Sequence, residues 1–543
     1  MYFNRFSNRL LPILLLGISC AQSAGDATLA PQGIQTDCSQ SSDCTVGLEC
    51  HPEWNVCTLS DASEQSVGVV ITPMAETGLA TGHLSDVLVS PKSGHDLTMP
   101  STVRIAGRVR VTNNPIQPSI PSILVAVADS AVIPGLRLRT QTSATDEGYA
   151  LDLVAGVNYT VTVTVNDLDR PTHRFALQSP ISRNNWDIEL PPLGDYPVLT
   201  GRVFQATNSG IQPVKGVRVT AMRVDDYHQC TTAETDKLGS YTLRCPFESG
   251  AYTVHVGPAE DGPVMPSFQV LWNGADRIEV DADQTLEDIV IPESVSEQIV
   301  TLQTVDPSGN PIAGIPITIT SALPDNGQWT NAVFMRTGST QSDGLWTGSI
   351  LQGLHHVVAK PHTSSQWAYR TAKDWVLETE ETNTMTLSSK VLFSGTVRAH
   401  DGTPEPYARV VTRRQWMQDH TGLKTELEYA TETDETGQFT LPVDQGAHHV
   451  SVVPGTGRAL PRWYGDAPTT VGSAGATLSI QLAPPAVLSG TITSENGTLL
   501  QEAAIAIYRL SDADALLIGR GVTQEDGRYH VVLPEKPEED DTP

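Results

Sequence analysis

A short pattern returns along this chain at a near-constant interval, and that period decides what the chain can fold into. It reads Ile105-Ala-Gly107-Arg-Val109, Leu199-Thr-Gly201-Arg-Val203, Phe393-Ser-Gly395-Thr-Val397 and Leu488-Ser-Gly490-Thr-Ile492. Gly107 to Gly201 is 94 residues and Gly395 to Gly490 is 95. The 194 residues between Gly201 and Gly395 leave room for one more copy, present in weaker form at Ile299-Val-Thr-Leu302 with Asp306-Pro-Ser-Gly309 after it. A period of about 95–97 residues is the size of a small domain, so the 543-residue chain is expected to hold about five in tandem.

A second landmark tells what kind of domain this is. In each period an Asp and a Gly stand close together, followed by an aromatic residue. They are Asp146, Gly148 and Tyr149; Asp236, Gly239 and Tyr241; Asp343, Gly344 and Trp346; Asp434, Gly437 and Phe439; and Asp526, Gly527 and Tyr529. Asp bonds its own backbone and Gly accepts positive φ, the chemistry of a hairpin turn. One Asp per turn supplies too few oxygens for a calcium loop. After each aromatic the residues alternate, as in Tyr241-Thr-Leu243 and Phe439-Thr-Leu441, which predicts strands. A Gly-led strand follows in three periods, at Gly250, Gly353 and Gly446. With 43 Gly and 37 Pro and no long apolar helical stretch, the expected class is all-β, a tandem array of small sandwiches.

This order of opening Gly strand, paired second strand (Val217-Arg-Val219, or Ile315-Pro-Ile317-Thr-Ile319), Asp–Gly hairpin and Gly-led strand resembles the carboxypeptidase regulatory-like domain. The resemblance covers most of residues 103–543 and implies a prealbumin-like β-sandwich of the carbohydrate-binding-like group. It implies no catalysis, because the zinc-binding His-x-x-Glu of the metallocarboxypeptidase catalytic domain is absent. The expected divisions are 103–195, 196–297, 298–390, 391–485 and an incomplete 486–543, after a 58–102 segment that is either linker or borrowed strands. The last period lacks its Gly-led strand. Residues 67–71 and 83–89 look like a repeat's tail, and 58–543 makes five periods of about 97. A shifted frame would account for both, each sandwich borrowing strands from the segment just before its opening Gly.

The N-terminus reads as an export signal, residues 1–19. Arg5 and Arg9 precede the apolar Leu10–Leu16, which is too short to cross a bilayer. Gly17-Ile18-Ser19-Cys20 resembles a bacterial lipobox, with Gly17 where Leu is usual. That resemblance implies lipid on Cys20, a tether over 20–37, and, with Ala21 next, the outer membrane. Seven cysteines are an awkward number for an oxidising compartment. With Cys20 assigned to lipid, six remain in two even groups, Cys38, Cys44, Cys50 and Cys57, and Cys230 with Cys245. The first group has no Cys-x-x-Cys step, so residues 38–57 are expected to be a disulfide-stapled segment rather than a zinc site, in any of three pairings. Its local pattern resembles short Cys-rich segments near the start of deltaproteobacterial surface lipoproteins. Cys230 and Cys245 flank a hairpin and are expected to bridge it.

A net charge of −28 repels a phosphate backbone, so nucleic acid is excluded as a partner. No His-Glu-x-x-His, Gly-x-Ser-x-Gly or phosphate loop occurs, so the expectation is a non-enzymatic protein without cofactor or metal. Adjacent strand residues point to opposite faces, so neither His355-His356 nor His448-His449 can chelate one ion. Trp329 follows Asp325-Asn-Gly-Gln328, and Trp416 follows Arg413-Arg-Gln415. Exposed, these rings would stack on sugar, and they are the candidate ligand residues. The expected partners are the membrane, through the lipid, and a carbohydrate or surface protein. The competing functions are adhesive module, structural spacer of the envelope, and accessory of a surface enzyme.

Overall fold

The computed structural model describes residues 65–534 apart from 90–93, 113–118, 132, 146, 166–169, 183–184, 225–228, 247–249, 293–296, 418–423, 456–457 and 511–514. Nearer the N-terminus it describes 38, 40, 44, 48–51 and 57–59. The described residues are all-β, with no α-helix among them. The described residues form two compact units, one holding those of 392–441 and 445–485 with those up to 59, the other holding those of 65–391, 442–444 and 486–534.

Each repeat is the same seven-stranded sandwich. In repeat 3 the opening strand Glu297–Val305 lies between the fourth, Leu345–Leu351, and the seventh, Thr382–Thr386, which runs parallel to it. The other layer runs third, second, fifth, sixth: Trp329–Ser339, Pro316–Ala322, Leu354–Ala359 and Arg370–Val376. Repeats 1, 2 and 4 have the same two layers. Alternation builds them: in Ser122–Asp129 of repeat 1, Leu124, Ala126 and Ala128 point inward and the residues between them outward.

The last sandwich departs from a linear array. It has an opening strand Pro485–Thr493, a second Ala504–Leu510, a third Ala515–Val522 and a fourth Arg528–Pro534. Its remaining three strands come from the other end of the sequence. Gln65–Thr72 takes the fifth place, pairing antiparallel with Ala504–Leu510, and Gly82–Val89 pairs beyond it as the sixth. Leu97–Thr98 is the seventh, parallel to the opening strand. Residues 65–98 therefore do complete a sandwich, though not the one that follows them. The shifted frame, with each sandwich borrowing from the stretch before it, is corrected: repeats 1 to 4 use their own strands, and repeat 5 alone borrows.

Side-chain registers show that the borrowed strands are the equivalent ones. Two residues after the opening Gly, Val109 pairs with Ile188, Val203 with Ile289, Val397 with Ile480 and Ile492 with Leu97. All eight side chains are buried. The need for Gly is visible too. A Cβ at Gly107 would meet the carbonyl oxygen of Trp186, at Gly395 that of Leu478 and at Gly490 that of His95, each two residues before the seventh-strand partner. The turn aromatics close the same spot. Tyr149 and Tyr241 pair with Gly107 and Gly201. The Tyr149 hydroxyl donates to the Trp186 carbonyl at 2.7 Å, and that of Tyr529 to His95 at 2.8 Å.

Neighbouring repeats 2 and 3 are fused. Ser267–Val270, the sixth strand of repeat 2, pairs antiparallel with the third strand of repeat 3, so one nine-stranded sheet runs through both. Their buried side chains form a single core. Between repeats 1 and 2, Tyr196 is buried in the connection and its hydroxyl lies 3.0 Å from His173 Nε2.

Candidate functional site

Cys20, its signal segment and the tether lie outside the described residues. The two groups of cysteines are paired as Cys38–Cys50, Cys44–Cys57 and Cys230–Cys245. Sulfurs of Cys38, Cys44 and Cys57 come within 4.8 Å of one another, but all three are oxidised in bridges and offer a metal no thiolate. The Cys230–Cys245 bridge is buried where the hairpin of repeat 2 begins and ends.

The turn carboxylates work on their own backbones. One oxygen of Asp434 accepts from the amides of Thr436 and Gln438 at 2.8 and 2.9 Å, and Asp236 does the same with Leu238 and Ser240. The Thr436 hydroxyl and these amides hold the Asp434 carboxyl below its usual pKa. Gly239, Gly344, Gly437 and Gly527 sit at φ of 73–75°, in the region glycine tolerates. Asp146 lies outside the described residues. The turns are not all alike. The Gly amide returns to Asp236 and Asp434 in repeats 2 and 4, but to Gln341 and Gln524 in repeats 3 and 5. There Asp343 and Asp526 stand just before the Gly and bond Leu345 and Arg528 instead.

Three of the four paired histidines are core residues, and His449 is exposed. His355 is fully buried and its Nε2 donates to the Leu351 carbonyl at 2.8 Å, tying the fifth strand to the end of the fourth. His448, in the same place in repeat 4, is equally buried. His356 is buried as well, on the opposite face. Burial lowers the pKa of His355, and drives that of His255 down to about 4. Both are neutral at pH 7.

Trp329 is also a core residue. It is 3 % exposed, its ring lies 5.0 Å from Phe268 of repeat 2, and its Nε1 donates to the Pro324 carbonyl at 3.2 Å. The expectation of a sugar-stacking surface at Trp329 is corrected: its face is covered by the neighbouring repeat, and the polar tip is satisfied internally. Trp416 lies in the second strand of repeat 4, Arg409–Met417, opposite Thr425, and its side chain is outside the described residues. An open depression of about 510 Å³ is lined by Pro121, Ala144, Thr145 and Glu147.

Two recurring residues escaped the sequence reading. A buried Thr precedes the turn in repeats 2 to 5. The Thr235, Thr340 and Thr433 hydroxyls each donate to the loop before the second strand, and each also accepts an amide at its start. Thr523 accepts the corresponding amide of Ala503. An Asp also precedes the seventh-strand apolar residue. Asp187 accepts from the Arg108 amide at 2.8 Å, Asp96 from that of Thr491 at 2.9 Å, and Asp288 pairs with the Arg202 side chain. The signal was present as Trp186-Asp-Ile188, Glu287-Asp-Ile289 and His95-Asp-Leu97.

No family model matches the sequence, and no curated protein matches it. Among solved structures, the Streptococcal ancillary pilin is similar at 14 % identity over 53 % of this chain and 99 % of that one, with a TM-score of 0.22. The Bacillus anthracis TIE protein is similar at 12 % over 70 % and 74 %, TM-score 0.15. GBS52, the minor pilin of Streptococcus agalactiae, is similar at 16 % over 36 % and 95 %, TM-score 0.21. Scores this low carry no argument about what this chain does.

Proposed function

We propose that this chain is an exported, non-enzymatic surface protein whose sandwiches serve as adhesive or binding modules. The observation that carries the reading is the pairing of six of its seven cysteines in three disulfides, which persist outside reducing compartments. The candidate chemical groups fit a structural protein, since the turn Asp, the buried His and Trp329 all serve the fold. Lipid on Cys20 would hold the protein at the outer membrane, as two or more acyl chains give stable anchoring. A labelled fatty acid should enter the wild type and not Cys20→Ala; label retained in the variant would remove the anchor from the reading. Carbohydrate recognition, if it occurs at a candidate from the sequence, falls to Trp416. Glycan-array binding that Trp416→Ala abolishes supports it, and binding unchanged in that variant sinks it.

The spacer reading is favoured by one feature, the sheet and core shared by repeats 2 and 3. A joint of that kind resists bending. Absence of binding to glycans and to surface proteins, with Cys20 lipidated, would place the spacer ahead of the adhesive reading.

A further inference from the structure

We infer that strands Gln65–Thr72, Gly82–Val89 and Leu97–Thr98 are an exchangeable clasp, through which a second copy of this chain completes the last sandwich and copies join head to tail. The donor strands and their acceptor are fully complementary and far apart in sequence. Six residue pairs join Gln65–Thr72 to Ala504–Leu510, from Val67 opposite Arg509 to Thr72 opposite Ala504. Asp96 accepts from the Thr491 amide and hydroxyl at 2.9 and 2.6 Å, across 395 residues of sequence. The Gln65 side chain donates to the Pro534 carbonyl at 3.2 Å, and the Met99 amide to Thr493 at 2.8 Å. The core is divided in the same way. Val67, Val69, Ile71 and Leu97 come from the donor, and Leu488, Ile492, Ile507 and Tyr529 are among those from the acceptor.

None of these contacts requires donor and acceptor to belong to one molecule. The donor is joined to repeat 1 through Met99-Pro100-Ser101, and Ala80, between its first two strands, packs in the repeat 1 core with its amide bonded to the Thr102 hydroxyl at 3.1 Å, so repeat 1 accompanies the donor. Released from its own acceptor and seated in a neighbour's, it makes the same bonds and buries the same side chains. Closed and exchanged forms therefore differ mainly in chain entropy, and local concentration decides between them. Donor and acceptor are different surfaces, so each added copy leaves one of each free and the assembly is open-ended. The net charge of −28 opposes association, so salt should promote it.

The test uses two full-length variants, Thr72→Cys and Ala504→Cys. Both positions are exposed, and they are directly opposed across the clasp. The two are mixed, unfolded in denaturant with native disulfides intact, refolded together and oxidised. A parallel mixture of Ile123→Cys and Thr164→Cys, also exposed and opposed but within repeat 1, is the control. The expected result is an interchain disulfide joining the peptides of positions 72 and 504. It should increase at least ~10-fold between about 10 μM and 1 mM chain, the range of flexible-linker effective concentrations, with no such rise in the control. A 72–504 link no more abundant than the 123–164 link at every concentration would overturn the inference.

Discussion

The first and the last sandwich contain the same seven strands in the same registers, yet one is built from a single stretch of chain and the other from two. In repeat 1 the bond from the Arg108 amide to Asp187 closes 79 residues. Its counterpart in the last sandwich, Thr491 to Asp96, closes 395. Loop-closure entropy grows only with the logarithm of length, so the fivefold longer closure costs about 1.4 kcal/mol more. That is small beside the burial of Val67, Val69, Ile71 and Leu97, at about 1.5–3 kcal/mol each. Strand register specifies this fold, and chain continuity is dispensable. The penalty falls on kinetics, because long-range pairing must wait for a long loop to close. The last sandwich is thus expected to be the last to form.

The largest effect should come from placing a charge in the borrowed fifth strand. Val69→Asp puts a carboxylate where exposure is zero, beside Ile507, at a cost of several kcal/mol. Limited proteolysis should then cut both 65–98 and 486–534 while repeats 1 to 3 stay protected. Val161→Asp, in Tyr159–Val165, the fifth strand of repeat 1, should instead open repeat 1 and spare the last sandwich. If Val69→Asp leaves 486–534 resistant, the two sandwiches are not equivalent.

Trp329→Ala tests a contact between two contiguous sandwiches. It should cost about 3–5 kcal/mol, and calorimetry should show repeats 2 and 3 melting separately. An unchanged single transition would mean that the shared sheet alone couples them. The pH dependence should separate the sandwiches again. His255 of repeat 2 has a folded pKa of about 4 and an unfolded one near 6.5. Its contribution is complete above pH 6.5 and is lost as pH falls toward 4, because the unfolded chain takes the proton first. Between pH 7 and 5 that amounts to about 2 kcal/mol. Thermal melts should show repeat 2 destabilised over that window, and His255→Phe should flatten the dependence.

The smallest effect is the most closely matched. Tyr149→Phe and Tyr529→Phe each remove one hydroxyl bonded to a carbonyl just before the seventh strand, worth about 1 kcal/mol. Equal losses in denaturant titrations would show that the borrowed strand is held as firmly as the contiguous one. No loss in Tyr529→Phe would break the equivalence.

The repeats were legible because their marks are local. The opening Gly and the turn aromatic are separate signals in sequence, and in space they are one contact: Gly201 makes room for the Tyr241 ring, and Gly395 for Phe439. The all-β class followed from those marks. Residues 67–71 and 83–89 were visible as a repeat's tail, but alternation within a strand does not say which partner it pairs with. Only His95-Asp96-Leu97, matching Trp186-Asp187-Ile188, carried that information. Trp329 misled for a related reason. Its polar neighbours Asp325 and Asn326 belong to a turn that caps the strand, bonding the Asn331 and Trp329 amides, while its ring is covered by Phe268 from another repeat.

Hydrogen exchange of the unmodified full chain tests the split sandwich most directly. The amides of Val67, Val69 and Ile71 should exchange as slowly as those of Ile505 and Ile507, and all five should lose protection together as denaturant is raised. Rapid exchange of 65–72 while 504–510 remains protected would contradict the account.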